Sequence, residues 1–210
     1  DLLTLNGFLQ NISETCKIGG YFIGTSYDGR KVFNMLEDKK QNESVIIMEG
    51  KKKMWEVKKI YDSSSFENDE TSLGYAIDVY QESINKTFRE YLVNYTYLER
   101  LLENFGFKRL SKDELNVLKF PNSFGSFEDL FYQMEQDLEQ NFINRTDYGK
   151  AFNMTANEKT ISFLNNYFIF KKVHDVNVGK VSLVITDEVA EEDEVAEEHE
   201  LTNITKKDKP

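Results

Sequence analysis

Apolar positions along the chain fall into short blocks separated by polar turns. Leu2, Leu3, Leu5, Phe8, Leu9 and Ile12 recur at helical spacing. Gly19-Gly20 then supplies a tight turn, and Tyr21-Phe22-Ile23, closed by Gly24-Thr25, reads as a buried strand. Val32, Phe33 and Leu36 begin another helical face over about residues 28–37. Helix, turn, strand, polar turn and helix form the unit of a mostly parallel α/β sheet. Ligands gather beyond the carboxyl ends of such strands, which makes Thr25-Ser26-Tyr27-Asp28-Gly29 the natural place for a site.

Ser44–Met48 reads as a strand that Glu49-Gly50 turns back into residues 53–61, where Trp55, Val57 and Ile60 mark an antiparallel partner. Residues 62–72 are rich in Ser, Asn and acids and are expected to form a loop, and Leu73–Tyr80 alternates as the next strand. From Asn85 the spacing of Phe88, Leu92, Tyr95, Leu98, Leu101, Leu102 and Phe105 predicts one helix, with Gly106 as its stop. Phe107–Leu110 is a short strand. Ser111 and Glu114 have capping-box spacing and open a helix or turn that Pro121 ends. Phe124–Phe142 predicts an amphipathic helix or helix pair, Asn157–Asn165 a helix, and Asn166–Lys171 the last strong strand. The fold class is therefore α/β, without internal repeats.

Charge divides the chain. Residues 187–200 hold nine Asp or Glu and no Lys or Arg, out of a net charge of −11 over the 210 residues. The body up to about residue 175 is close to neutral, and 176–210 reads as an acidic tail too poor in large apolar side chains to offset the entropy of ordering. Within it, Val181–Ile185 could add a strand. A lone Cys16 on the apolar side of the first helix fits a reducing compartment, and a buried small hydrophobe suits it better than a nucleophile. No apolar run reaches the roughly 18 residues of a membrane span. His174 and His199 lack ligand spacing with Cys16, and no Ser-His-Asp set or phosphate-cradling Gly-rich loop is present. The chain also opens inside an amphipathic helix without a cap, as a fragment of a longer polypeptide would.

One residue is out of keeping with its neighbours. Glu90 stands among aromatic and aliphatic residues in Phe88-Arg89-Glu90-Tyr91-Leu92-Val93. A first-turn Glu that favours a helix dipole accounts for it, and so does a carboxylate held for recognition.

Three stretches taken together, Gly19–Thr25, Glu90–Val93 with Tyr95 and Leu98, and Asn166–Phe170, resemble the mRNA cap (guanine-N7) methyltransferase family. Tyr27-Asp28-Gly29 brings the likeness nearer to the capping enzymes of large DNA viruses of poxvirus and giant-virus type. The resemblance covers about residues 1–173 and implies the C-terminal part of a class I S-adenosylmethionine-dependent methyltransferase, a Rossmann-like sheet with helices on both faces, here with an antiparallel insertion. It implies that S-adenosylmethionine is held mainly by an N-terminal half outside this chain, which leaves the chain inactive by itself. Glu90 is then the acceptor for the guanine base, Tyr167 helps wall the pocket, and Tyr27 and Asp28 border it. Cellular members carry Pro where this chain has Tyr27. Implied partners are capped mRNA, the rest of the methyltransferase domain, an upstream guanylyltransferase domain and a stimulatory subunit, in the host cytoplasm or the virion.

Guanine offers N1–H and N2–H₂ side by side, and one carboxylate can accept both through charge-assisted bonds. N7 is already a lone-pair nucleophile, so alignment suffices and no His, Cys or Ser signature is required. The competing expectation is a non-catalytic α/β interaction module whose acidic tail docks on a basic partner.

Overall fold

In the computed structural model, which describes residues 2–181, the first sheet is organised around β8 (Asn165–Lys172). On one edge β8 pairs antiparallel with β1 (Tyr21–Tyr27), with Tyr21 opposite Lys171 and Tyr27 opposite Asn165. Its other edge is shared by β6 (Phe107–Arg109) and β7 (Phe124–Ser126), both antiparallel to it. The order β1-β8-β6 leaves β1 and β6 running in the same direction on either side of an inverted strand.

Alternation along β8 sends its side chains to two cores. Phe168 and Phe170 pack with Leu9, Leu101, Leu102 and Phe105, under α1 (Leu2–Thr15) and α3 (Tyr95–Asn104). Tyr167 and Ile169 face the other way, onto Leu110 and Leu115, with Phe127 and Leu130 of α5 beside them. There α4 (Lys112–Leu118) opens on a complete Ser111–Glu114 capping box, and Ser126 caps α5 (Phe127–Glu139). The expected helices on both faces are thus present.

Between α2 (Gly29–Met35) and α3 the chain builds a second, four-stranded antiparallel meander: β2 (Ser44–Glu49), β3 (Lys52–Lys59), β4 (Ala76–Gln81) and β5 (Lys86–Tyr91). Trp55, Val57, Ile77 and Val79 lie on its inner face and bury against Val32, Phe33 and Leu36 around α2. The opposite face carries ion pairs, Arg89 with Asp78 among them. A short α6 (Ala156–Ser162), opened by a Thr155–Glu158 capping box, precedes β8.

Three expectations are corrected. The sheet is not mostly parallel: every strand pair among the described residues is antiparallel, because β8 returns from far along the chain and inserts between β1 and β6. Residues 86–91 are strand β5 and not the opening of a helix. Asn85, with φ of 53°, turns the chain back from β4, and Asn94 caps α3 by accepting the Tyr97 N–H at 3.1 Å. Finally, Phe124 begins a strand and not a helix. Beyond β8, residues 178–181 are helical, and Val178 and Val181 pack on the α1–α3 core. The acidic stretch and the strand considered at 181–185 lie, from residue 182 on, outside the described residues.

Candidate functional site

The carboxyl end of β1 meets the inner face of the meander, and Tyr27 joins them. Its phenol oxygen accepts the indole N–H of Trp55 at 3.0 Å and also bonds the Gln81 side chain. Trp55 and Gln81 are cross-strand partners on β3 and β4, so a single rung holds the hydroxyl. Burial raises the Tyr27 pKa, and the neighbouring Glu90 carboxylate raises it further.

Glu90 belongs to the same face. It stands opposite Ile77, which is fully buried, and alternates with Phe88, which stands opposite Val79. Cross-strand partners share a side of the sheet, so Glu90 and Phe88 extend the apolar inner face to its open edge. The Glu90 side chain is half-buried there, and no hydrogen bond or ion pair to its carboxylate occurs among the described residues. Desolvation raises its pKa. A half-buried carboxylate without a protein partner, beside a fixed phenol, can accept donors from a bound molecule.

The other two expected site residues are engaged elsewhere. Asp28 caps α2: one oxygen accepts the N–H groups of Arg30 and Lys31 at 3.0 and 3.2 Å, and the other accepts Asn166 Nδ2 at 2.8 Å. It latches α2 to β8 and has no carboxylate oxygen to spare. Gly29 completes the junction, because its N–H donates to Val93 O at 3.1 Å and a Cβ there would strike that same carbonyl. Tyr167 lies on the Tyr27 side of the first sheet, since it pairs with Thr25 two residues before Tyr27. Its hydroxyl donates to Asn122 O at 3.2 Å, its ring sits 5.7 Å from that of Phe120, and burial raises its pKa. The structure therefore sets Tyr27 and Glu90 against the same inner face of the meander, uses Asp28 as a cap, and places Tyr167 farther along the first sheet within a packed cluster. The sequence reading missed Trp55 and Gln81 as parts of the site. Their period-2 placement on strands was visible, whereas their approach to Tyr27 is a tertiary event.

Two cavities flank this region. One, of about 490 Å³, lies on the α1–α3 side and is lined by uncharged residues that include Phe8, Phe22, Leu98 and Phe168. The other, of about 300 Å³, opens beside Asp28 and Arg30. Among the described residues no group of three or more His, Cys, Asp or Glu is placed to hold a metal ion. No described helix is long and apolar enough to cross a membrane.

No protein-family model matches the chain. Among curated proteins it is similar to a probable mRNA-capping enzyme of Acanthamoeba polyphaga mimivirus, with 28% identity over 209 residues that cover 89% of this chain. The chain spans 17% of that relative's length. The likeness supports a relationship to capping enzymes as a group.

Proposed function

We propose that this chain forms the guanine-holding part of an mRNA cap (guanine-N7) methyltransferase, acting within a larger capping enzyme. The observation that carries the reading is Glu90, a desolvated carboxylate without a protein partner on an apolar face beside Tyr27. Its two oxygens suit the adjacent N1–H and N2–H₂ of guanine, and adenine has no such pair of donors. Burial of the site strengthens charge-assisted bonds of this kind. Phe88, 44% exposed and two residues away on the same face, offers a ring that can stack on a base. The likeness to a probable mRNA-capping enzyme agrees with the reading.

S-adenosylmethionine would supply the methyl group, and the residues at this site suit guanine better than the adenine of that cofactor, since Glu90 can accept N1–H and N2–H₂ together and adenine has no such donor pair. The chain's own task is orientation. Glu90 fixes the Watson–Crick edge of the base, which turns N7 away from the carboxylate, and the Trp55–Tyr27 bond keeps the pocket wall in place. No general base is required, because N7 carries a lone pair. Orientation alone can supply roughly 7–11 kcal/mol of a barrier. β1 pairs on only one edge among the described residues, and we assign its other edge to a further segment of the methyltransferase sheet.

Calorimetric titration of this chain with GpppG and ApppA tests the reading. Wild type should prefer GpppG, and Glu90→Ala and Glu90→Gln should each lose about 30-fold or more of that affinity, through removal or reversal of a charge-assisted acceptor. An unchanged preference in both variants would refute it.

A further inference from the structure

The cavity of about 300 Å³ at the end of β1 is separate from the guanine wall and differs from it in chemistry. Asp28, Arg30, Asn68, Asn94, Thr96 and Phe124 are among its lining residues. The Arg30 guanidinium lies 5.0 Å from the centre of the buried Phe66 ring, and one of its N–H groups donates to Asn68 Oδ1 at 3.2 Å. Asn94 Nδ2 donates to the same oxygen at 3.1 Å. Two donors on Oδ1 fix the Asn68 amide, and its Nδ2 has no protein partner among the described residues, nor do the remaining N–H groups of Arg30. Asn94 is itself 8% exposed and held by Glu67 O and the Tyr97 N–H, so the frame behind Asn68 is rigid. A second cation, Arg100, donates to Asn68 O from outside.

The groups left over in this cavity are donors: the planar guanidinium and an amide NH₂. Asp28 also rims the cavity; the bonds it accepts from Arg30 N–H, Lys31 N–H and Asn166 offset part of its negative charge, and the Arg30 guanidinium faces it. A site that offers donors and a fixed guanidinium selects phosphate oxygens, which arginine binds in a bidentate fork. Its volume lies at the lower end of small-molecule sites, about 300–1,000 Å³. Position adds to chemistry. Asp28 follows Tyr27 directly in the chain, which puts the cavity at the same end of β1 as the guanine wall. We propose that this cavity, with Arg30 and Asn68 as its binding groups, receives the triphosphate bridge of the capped RNA whose guanine lies against Glu90. The inference rests on the guanine reading for the identity of the ligand but not for the presence of a phosphate site.

The test uses the full 210-residue chain and three probes: guanosine, GpppG and inorganic tripolyphosphate. Wild type should bind GpppG more tightly than guanosine and should bind tripolyphosphate at low salt. Arg30→Ala should weaken GpppG and tripolyphosphate by about tenfold or more while guanosine affinity stays unchanged. It should also flatten the dependence of log Kd on log salt, because one cation fewer meets the anion. Arg30→Lys, which keeps the charge but loses the fork, should retain the salt slope and recover only part of the affinity. Arg30 is exposed, so melting curves of both variants should overlay wild type. Equal loss of guanosine and GpppG in Arg30→Ala, or no loss of either, overturns the proposal. So does a wild-type chain that fails to bind tripolyphosphate. Should Glu90→Ala leave GpppG binding intact, the guanine reading falls, and the tripolyphosphate arm still decides the phosphate site alone.

Discussion

The indole of Trp55 on β3 and the phenol of Tyr27 at the end of β1 share a buried hydrogen bond of 3.0 Å that spans the two sheets. Tyr27→Phe would leave the indole N–H buried without an acceptor, at a cost of about 1–3 kcal/mol. Urea unfolding should show that loss in the wild-type background and a clearly smaller one when Trp55 is already Phe. Equal losses in both backgrounds would mean that the bond adds nothing to stability.

Glu90 makes affinity and stability respond to pH in opposite directions. Burial raises its folded pKa above the ordinary carboxylate value of about 4.3. Binding of GpppG needs the ionised form, so it should weaken as pH falls through that raised pKa. The stability contribution runs the other way: it is complete below the unfolded pKa and is lost as pH rises through the folded one. Titrations and thermal melts across pH 4–7.5 should diverge in wild type, and both dependences should flatten in Glu90→Gln.

A second carboxylate gives the reverse sign on stability. The ion pair and hydrogen bond with Lys171 at the centre of the first sheet, aided by Ser111, hold Glu114 down to about 2. Its contribution is present above the unfolded value of about 4.3 and disappears as pH falls from there toward 2. Lys171→Met should lower the melting temperature at pH 7 and shrink the acid-induced drop. An unchanged acid profile would show that solvent screens the pair completely.

Tyr167 is held from behind by a glycine. A Cβ on Gly125 would lie 2.8 Å from the Tyr167 ring, inside van der Waals contact, in a packed cluster with Leu110 and Ile169. Gly125→Ala should therefore cost about 1–3 kcal/mol. Chemical shifts of the Tyr167 ring should move in that variant. A neutral Gly125→Ala would mean that the cluster has slack and that Tyr167 is a poor candidate for a fixed pocket wall.

Local chemistry was the legible part of the fold. The Gly19-Gly20 turn, the Ser111–Glu114 capping box and the strand at 166–171 all appear where the residues put them, because each depends on neighbours within a few positions. Strand β5 was misread because Phe88, Leu92, Tyr95 and Leu98 satisfy a helical period by coincidence across a strand, a cap and a helix. Asn85 and Asn94, suited to a left-handed turn and an N-cap, were the available signals. Sheet direction was out of reach, since it depends on Tyr21 meeting Lys171 across most of the described chain. Of the candidate site, Glu90 stood out as a charge among aromatics. Its approach to Tyr27, the role of Gln81 and the donor pocket around Asn68 arise only when loops and strands distant in sequence converge.

Strand β8 is bonded on both edges, yet it lies far downstream of the strands it joins. The pairing of Tyr21 with Lys171 closes a loop of about 150 residues, and the entropy of that closure must be met before any β1–β8 rung forms. The meander carries a lighter burden: β2–β3 and β4–β5 are hairpins of strands a few residues apart, and only the segment between Lys59 and Ala76 is long. On a ribosome, β1 and β6 would emerge and wait, their backbone edges open, until residue 172 clears the exit tunnel. High contact order of this kind slows folding and prolongs exposure to chance partners. Chains cut before β8 should therefore accumulate as aggregates that retain a folded meander.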